Sequence, residues 1–163
     1  MDYLWTPWRS TYMKEKKDKA QCVFCGAAQS AEDARNLVIH RGQFCFAILN
    51  RYPYTSGHLM IAPYAHVSRL TAAEEAVTAE MMRFIRYAET AIQEVYSPDG
   101  LNLGMNLGEA AGAGIEQHIH MHVLPRWKGD ANFMTSVGGT RIIPEMLEDT
   151  YAKVREAFGK LTR

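Results

Sequence analysis

From Asn36 onward the apolar positions fall into two periods. Leu37-Val38-Ile39 and Phe44-Cys45-Phe46-Ala47-Ile48-Leu49 are short β-type runs on either side of Arg41-Gly42-Gln43, a turn-forming triplet, and together they predict a hairpin. Arg51-Tyr52-Pro53-Tyr54-Thr55-Ser56-Gly57 is a second turn segment, and it ends where His58-Leu59-Met60-Ile61-Ala62 begins a third run. The period then lengthens. Val77, Met81, Phe84, Ile85, Ala88, Ile92 and Val95 share one stripe of a helix, which Thr71 and Glu74 predict to start near Thr71 through a capping box. Ser97-Pro98-Asp99-Gly100 stops it. Leu101, Leu103, Met105 and Leu107 alternate with Asn102, Gly104, Asn106 and Gly108, predicting a strand with small or polar residues on one face. A glycine-rich loop, 108–114, leads into a last strand at His118, and a C-terminal helix is expected from about Pro144 to Phe158. The class is α+β: an antiparallel sheet of about five strands, one long crossover helix and a C-terminal helix. Residues 1–35 read as an aromatic arm with a Cys-x-x-Cys segment, 36–130 as the core, and 131–163 as a C-terminal loop and helix, all one structural domain.

Composition narrows the partners. A chain of 163 residues, 47% hydrophobic and 22% charged, is one ordinary domain able to bury a core. Its 18 basic and 18 acidic side chains cancel, so no overall positive field holds a nucleic acid or an anionic membrane. A small, locally bound ligand is expected instead. Met1-Asp2-Tyr3-Leu4-Trp5 lacks a basic segment followed by an apolar one, and no run approaches about eighteen apolar residues, so a cytoplasmic protein is expected. Tyr3, Trp5, Trp8 and Tyr12, with Pro7 between them, predict an arm that docks on its own domain or a partner chain, and Lys14 to Lys19 reads as a solvated link. Three cysteines are too few for a disulfide framework.

The chemistry concentrates in His118-Ile119-His120-Met121-His122. In an extended strand these three imidazoles line one face at intervals of about 6.5 to 7 Å, while Ile119, Met121 and Val123 point the other way. Such a face can bind a metal, shuttle protons or supply a nucleophile. The preceding glycine-rich loop offers backbone N–H groups to phosphate oxygens, and Asn50 and Asn106 sit at strand ends where ribose or phosphate contacts are made. Phosphoryl chemistry needs mainly positioning and charge stabilisation, which such an imidazole cluster can supply.

His118-Ile-His-Met-His-Val-Leu-Pro-Arg126 resembles the signature of the histidine triad family of nucleotide hydrolases and transferases. The likeness runs from Phe44 to Trp127 through Phe46-Ala-Ile-Leu-Asn50, Ser56-Gly-His58 and Gly104-Met-Asn106-Leu-Gly108. It implies that His120 attacks the α-phosphorus of a nucleotide and forms a covalent nucleotidyl-imidazole. It further implies that His122 contacts the same phosphate, that His58 buttresses the triad, and that Asn50 and Asn106 meet the ribose or phosphate. The stretch Gly112-Ala113-Gly114-Ile115-Glu116-Gln117 lacks the Gln-Ser or Gln-Thr pair usual before the triad in the family's hydrolases, although Gln117 can swing in to replace that glutamine. With Leu4-Trp5-Thr-Pro-Trp8-Arg9 and Arg126-Trp-Lys-Gly-Asp-Ala-Asn-Phe133, this is similar to a bacterial branch with diadenosine tetraphosphate phosphorylase activity, in which phosphate replaces water as acceptor. A homodimer or larger assembly is implied as well.

Cys22-Val23-Phe24-Cys25 has metal-ligand spacing but needs two more ligands for zinc. By resemblance these are His66 and His118, giving a structural zinc, with no organic cofactor. The alternative is two thiols. Cys45 reads as core, Met81, Met82 and Phe84 as packing or subunit contact, and Glu74, Glu75 and Glu80 as a solvated helix face. His40 reads as exposed, with a reserve role as zinc ligand. Tyr52, Pro53 and Tyr54 either stack on an adenine or cover their loop. Three other functions stay open: a purine nucleoside phosphoramidase or AMP-lysine hydrolase, a binding module without turnover, and a metalloenzyme with all three histidines on one ion.

Overall fold

The computed structural model describes residues 22–131, 135, 137 and 143–162. The aromatic arm and the lysine-rich link lie outside the described residues. Helix α1 (Val23–Gln29) and the single turn α2 (Asp33–Asn36) precede β1 (Val38–Arg41), β2 (Cys45–Leu49) and β3 (Leu59–Pro63); α3 (Glu75–Tyr96), β4 (Gly100–Gly104), β5 (Met121–Arg126) and α4 (Leu147–Leu161) follow. The five strands form one antiparallel sheet in the order β1-β2-β3-β5-β4. The α+β class, the hairpin, the crossover helix and the C-terminal helix stand as expected.

Helices α3 and α4 cover one face of the sheet. The predicted stripe of α3 is the buried one: Val77, Met81, Phe84, Ile85, Ala88 and Ile92 are all in the core, with Val154, Ala157 and Phe158 of α4 beside them. Cys45 faces this layer, its thiol donating to the Val77 carbonyl at 3.5 Å, and burial pushes it up to about 12. Helix α1 lies on the opposite face, where Phe24 packs against Phe46. Arg41 fixes it there, donating to the carbonyls of Ala27, Ala28 and Ser30 and to Asp33 at 2.7 to 2.9 Å.

Several local expectations need correcting. Helix α3 begins at Glu75 rather than near Thr71, because Leu70–Ala72 forms a separate 3-10 turn and Glu74, the N-cap, makes no side-chain cap bond. Glu80 is buried rather than solvated: it accepts the backbone N–H groups of Phe44 at 2.5 Å, Cys45 at 2.8 Å and Gln43 at 3.3 Å, and pairs with Arg83. A carboxylate there closes the β1–β2 turn, whose free N–H groups would otherwise be buried unpaired. His40 is half-buried between Phe84 and Phe158, at centroid distances of 5.3 and 5.5 Å. A β-bulge between Val38 and His40 turns it onto the helix face, away from any metal. Helix α4 starts at Leu147 instead of about Pro144, and β4 stops at Gly104, so Met105 and Leu107 lie beyond the strand. Met82 is exposed while its neighbours Met81 and Phe84 are core. Among the described residues no helix is long and apolar enough to cross a membrane.

Candidate active site

The histidine segment is held from both sides, with Gly104 of β4 opposite His122 on one and β3 on the other. Met121 and His122 pair with Ile61 and Met60 on β3, and the lead-in continues that contact through the Ile119 N–H, which donates to the Val67 carbonyl at 2.8 Å. Pairing in antiparallel register puts Ile48, Met60 and His122 in one row across β2, β3 and β5. That row floors a cleft of about 470 Å³. Helix α1 and Asn36-Leu37 wall it on one side, and Asn106, Gly112 and Gly114 on the other.

Each imidazole has a different partner for its inner nitrogen. His120 Nδ1 lies 2.9 Å from the His118 carbonyl, which can only accept, so Nδ1 carries the proton and Nε2 keeps its lone pair. Burial lowers His120, and its bond to the His118 carbonyl opposes that only in part. The ring is therefore neutral near pH 7, and its Nε2 can act as a nucleophile.

His58 takes the opposite tautomer. Its Nδ1 accepts the Tyr54 backbone N–H at 3.2 Å and lies 3.3 Å from Asn50 Nδ2, so the proton is on Nε2, 2.9 Å from His122 Nδ1. His122 Nδ1 thus accepts, which leaves Nε2–H as the donor His122 offers elsewhere. Burial first, and then the neighbouring imidazoles, hold His58 down to about 3; burial and His120 hold His122 at about 4. The Tyr54 ring covers this pair, 4.9 Å from His58 and 6.3 Å from His122. The Tyr52–Tyr54 loop therefore holds the imidazole pair as well as lining the cleft.

His118 turns away from the other two. Its Nε2–H donates to the Pro63 carbonyl at 2.9 Å, which leaves Nδ1 facing Cys22 Sγ at 3.4 Å, Cys25 Sγ at 3.6 Å and His66 Nδ1 at 3.3 Å. Cys25 Sγ is 3.2 Å from His66 Nδ1, and all four ligand atoms lie within 4.8 Å of one another. A tetrahedral ion bound at about 2.3 Å from sulfur and 2.0 to 2.1 Å from nitrogen spaces its ligand atoms about 3.3 to 3.8 Å apart, so the donor set fits zinc. Burial and the neighbouring Cys22 push the Cys25 thiol up, a cost that a cation among the four donors reverses. His118, His120 and His122 do not form such a group, so one ion on all three is not what this arrangement offers.

The sequence-derived site is thus brought together in two adjoining clusters. His120, His122, Asn50, Asn106, Gly112 and Gly114 line the cleft, His58 is buried behind His122, and Cys22, Cys25, His66 and His118 form the ligand group. Gln117 is exposed and is not among the residues lining the cleft. Sequence reasoning missed Phe24, whose ring lies 5.2 Å from His118 and 4.7 Å from His120 and so joins the clusters. Its position between the two cysteines was the available signal.

The HIT domain family matches residues 31–129, well over half of the chain. The chain belongs to the HIT family. A relative named AP-4-A phosphorylase, from Mycobacterium tuberculosis, is 43% identical over 155 residues, covering 90% of this chain and 79% of the relative. An asymmetrical bis(5'-nucleosyl)-tetraphosphatase of Schizosaccharomyces pombe is 29% identical over 93 residues, 57% of this chain and 50% of that one. Among solved structures, a Zn-bound histidine triad family protein from Mycobacterium smegmatis superposes with a TM-score of 0.69 at 28% identity, covering 88% of this chain and 96% of that one.

Proposed function

We propose that this HIT protein cleaves dinucleoside polyphosphates of the diadenosine tetraphosphate type by nucleotidyl transfer through His120, with phosphate as acceptor. The observation that carries the reading is the opposed tautomers of His120 and His122, one presenting a lone pair and the other an N–H. His120 Nε2 attacks the α-phosphorus and forms a P–N bond while the bridging P–O bond breaks. The nucleoside triphosphate leaves with that electron pair. His122 Nε2–H donates to an oxygen on the same phosphorus, where charge builds in the transition state. Phosphate then attacks the nucleotidyl-imidazole, the P–N bond breaks, and ADP is released; water in its place gives AMP. Asn50 and Asn106 serve the ribose and phosphate, and Gly112 and Gly114 admit close backbone approach. The likeness to a mycobacterial AP-4-A phosphorylase supports phosphate as the acceptor.

The four donors of Cys22, Cys25, His66 and His118 fit a structural zinc, a closed set that leaves no position for substrate. The likeness to a Zn-bound relative supports it. When bound, the ion supplies rigidity: it fixes the side chain of the residue whose carbonyl orients His120. A homodimer agrees with the outer edge of β4, which pairs with no further strand among the described residues; Leu103 there is 52% exposed, and Leu107 just beyond it is 46% exposed.

The test is product analysis on diadenosine tetraphosphate with and without phosphate. ADP and ATP are expected in phosphate, and His120→Asn should remove turnover while nucleotide binding persists. ADP formed independently of phosphate overturns the acceptor, and unchanged turnover in His120→Asn overturns the nucleophile.

A further inference from the structure

Part of the cleft lining is apolar: Phe24, Ala27, Leu37 and Ile48 form a slot with Asn36 as its polar edge, and Phe24 carries it to within 4.7 Å of the His120 ring. The amide of Asn36 is locked. Its Nδ2 gives one hydrogen to Ser30 Oγ at 2.9 Å and the other to the Glu32 carbonyl at 2.9 Å. A backbone carbonyl can only accept, so the amide cannot be turned over, and Oδ1 is the polar atom Asn36 has left for a ligand. The segment around it is equally fixed. Leu37, buried at the cleft, holds a left-handed backbone with φ 62°, a conformation rare for a bulky residue and found where the surroundings impose it. Its N–H donates to Ala34 at 3.2 Å, its carbonyl accepts Leu49 N–H at 2.9 Å, and Arg51 donates to the Arg35 carbonyl at 3.0 Å.

The geometry points to Asn36 as the residue that selects the base: its fixed acceptor oxygen takes a hydrogen bond from the exocyclic amine of adenine and disfavours purines with a carbonyl there. Adenine offers a donor at its 6-position, whereas guanine and hypoxanthine offer an acceptor. An acceptor facing an acceptor leaves both oxygens without a partner and partly desolvated, which a locked amide cannot relieve by flipping. The apolar slot itself grips any purine ring alike. The inference rests on the nucleotide reading of the cleft and adds to it the determinant of base identity.

Calorimetric binding of AMP, IMP and purine riboside 5'-monophosphate to the intact protein tests it without turnover. The three share ribose and phosphate and differ chiefly in the 6-substituent. AMP should bind about tenfold more tightly than IMP, the scale of one hydrogen bond, with the unsubstituted purine between them. Asn36→Leu should bring the three affinities together, and Asn36→Ala, which removes the same oxygen with a smaller side chain, should do so too. A purely structural role for Asn36 would lower all three affinities in proportion and leave their ratios in place. Equal binding of AMP and IMP by the wild-type protein, or an unchanged ratio in Asn36→Leu, overturns the assignment alone. If Asn36→Leu binds none of them, Asn36→Ala decides, and a retained AMP preference there overturns the assignment. Binding of none of the three by the wild-type protein overturns the nucleotide reading together with it.

Discussion

His58 makes the fold sensitive to acid in a way that can be calculated. It is 1% exposed and held at about 3, against an ordinary value near 6.5, by burial and by the imidazoles of His122 and His120. Because its value is depressed on folding, the unfolded chain binds the proton first. Stability is therefore unaffected above about pH 6.5, falls as the pH drops below that, and goes on falling to about pH 3. Between pH 7 and pH 5 the unfolded state gains its proton over about 1.5 pH units while native His58 stays neutral, which costs about 2 kcal/mol at 1.4 kcal/mol per unit. Guanidinium denaturation followed by tryptophan fluorescence at the two pH values measures this. Wild type should lose about 2 kcal/mol more across that interval than His58→Asn, whose side chain does not titrate. Parallel pH dependences in the two proteins would refute the reasoning, as would a native-state NMR titration of His58 above pH 5.

Two further outcomes concern stability. Glu80→Ala should destabilise by about 3 kcal/mol, since it strands buried N–H groups of the β1–β2 turn that now bond to a carboxylate; a loss below about 1 kcal/mol in the same denaturation assay contradicts that account. With the proposed zinc in place, wild type should carry one ion per chain by elemental analysis, and Cys25→Ser should carry almost none and lose about 10 °C of thermal midpoint, equivalent to about 3 kcal/mol for a chain of this size. An unchanged midpoint argues against a metal that holds α1 to the sheet.

Periodicity made the sheet, the core stripe of α3 and the histidine segment legible, because each is a local pattern repeated over several residues. What it could not supply were the long-range contacts that override local preference. Glu80 looks like any charge on a helix surface, and only the arrival of the β1–β2 turn, more than thirty residues away in sequence, makes it a buried acceptor. Simple alternation leaves His40 on the same face as Val38, and the bulge reverses it. Thr71 and Glu74 have capping-box spacing, yet the chain spends Leu70–Ala72 on a separate turn before the helix begins. The two histidines of the four-donor group came from resemblance, since spacing gave only the two cysteines, and the exposed position of Gln117 was not legible because a loop's direction is not written in its composition.

Three histidines at equal spacing acquire different chemistry through what each has at its other nitrogen. A carbonyl can accept but never donate, so those of His118 and Pro63 each force an N–H onto the nitrogen they meet, at His120 Nδ1 and His118 Nε2 respectively. The first leaves a lone pair at His120 Nε2; the second leaves one at His118 Nδ1, facing the two sulfurs. His122 meets an imidazole instead, and an imidazole can be either donor or acceptor. Its state must be settled one step further away, where the Tyr54 backbone N–H can only donate and so fixes His58. The loop from Asn50 to His58 is therefore part of the proton arrangement of the site: the Tyr54 N–H and the Asn50 amide both keep His58 Nδ1 an acceptor, and a change that withdrew the two together would free His58 and His122 to exchange tautomers while leaving every histidine in place.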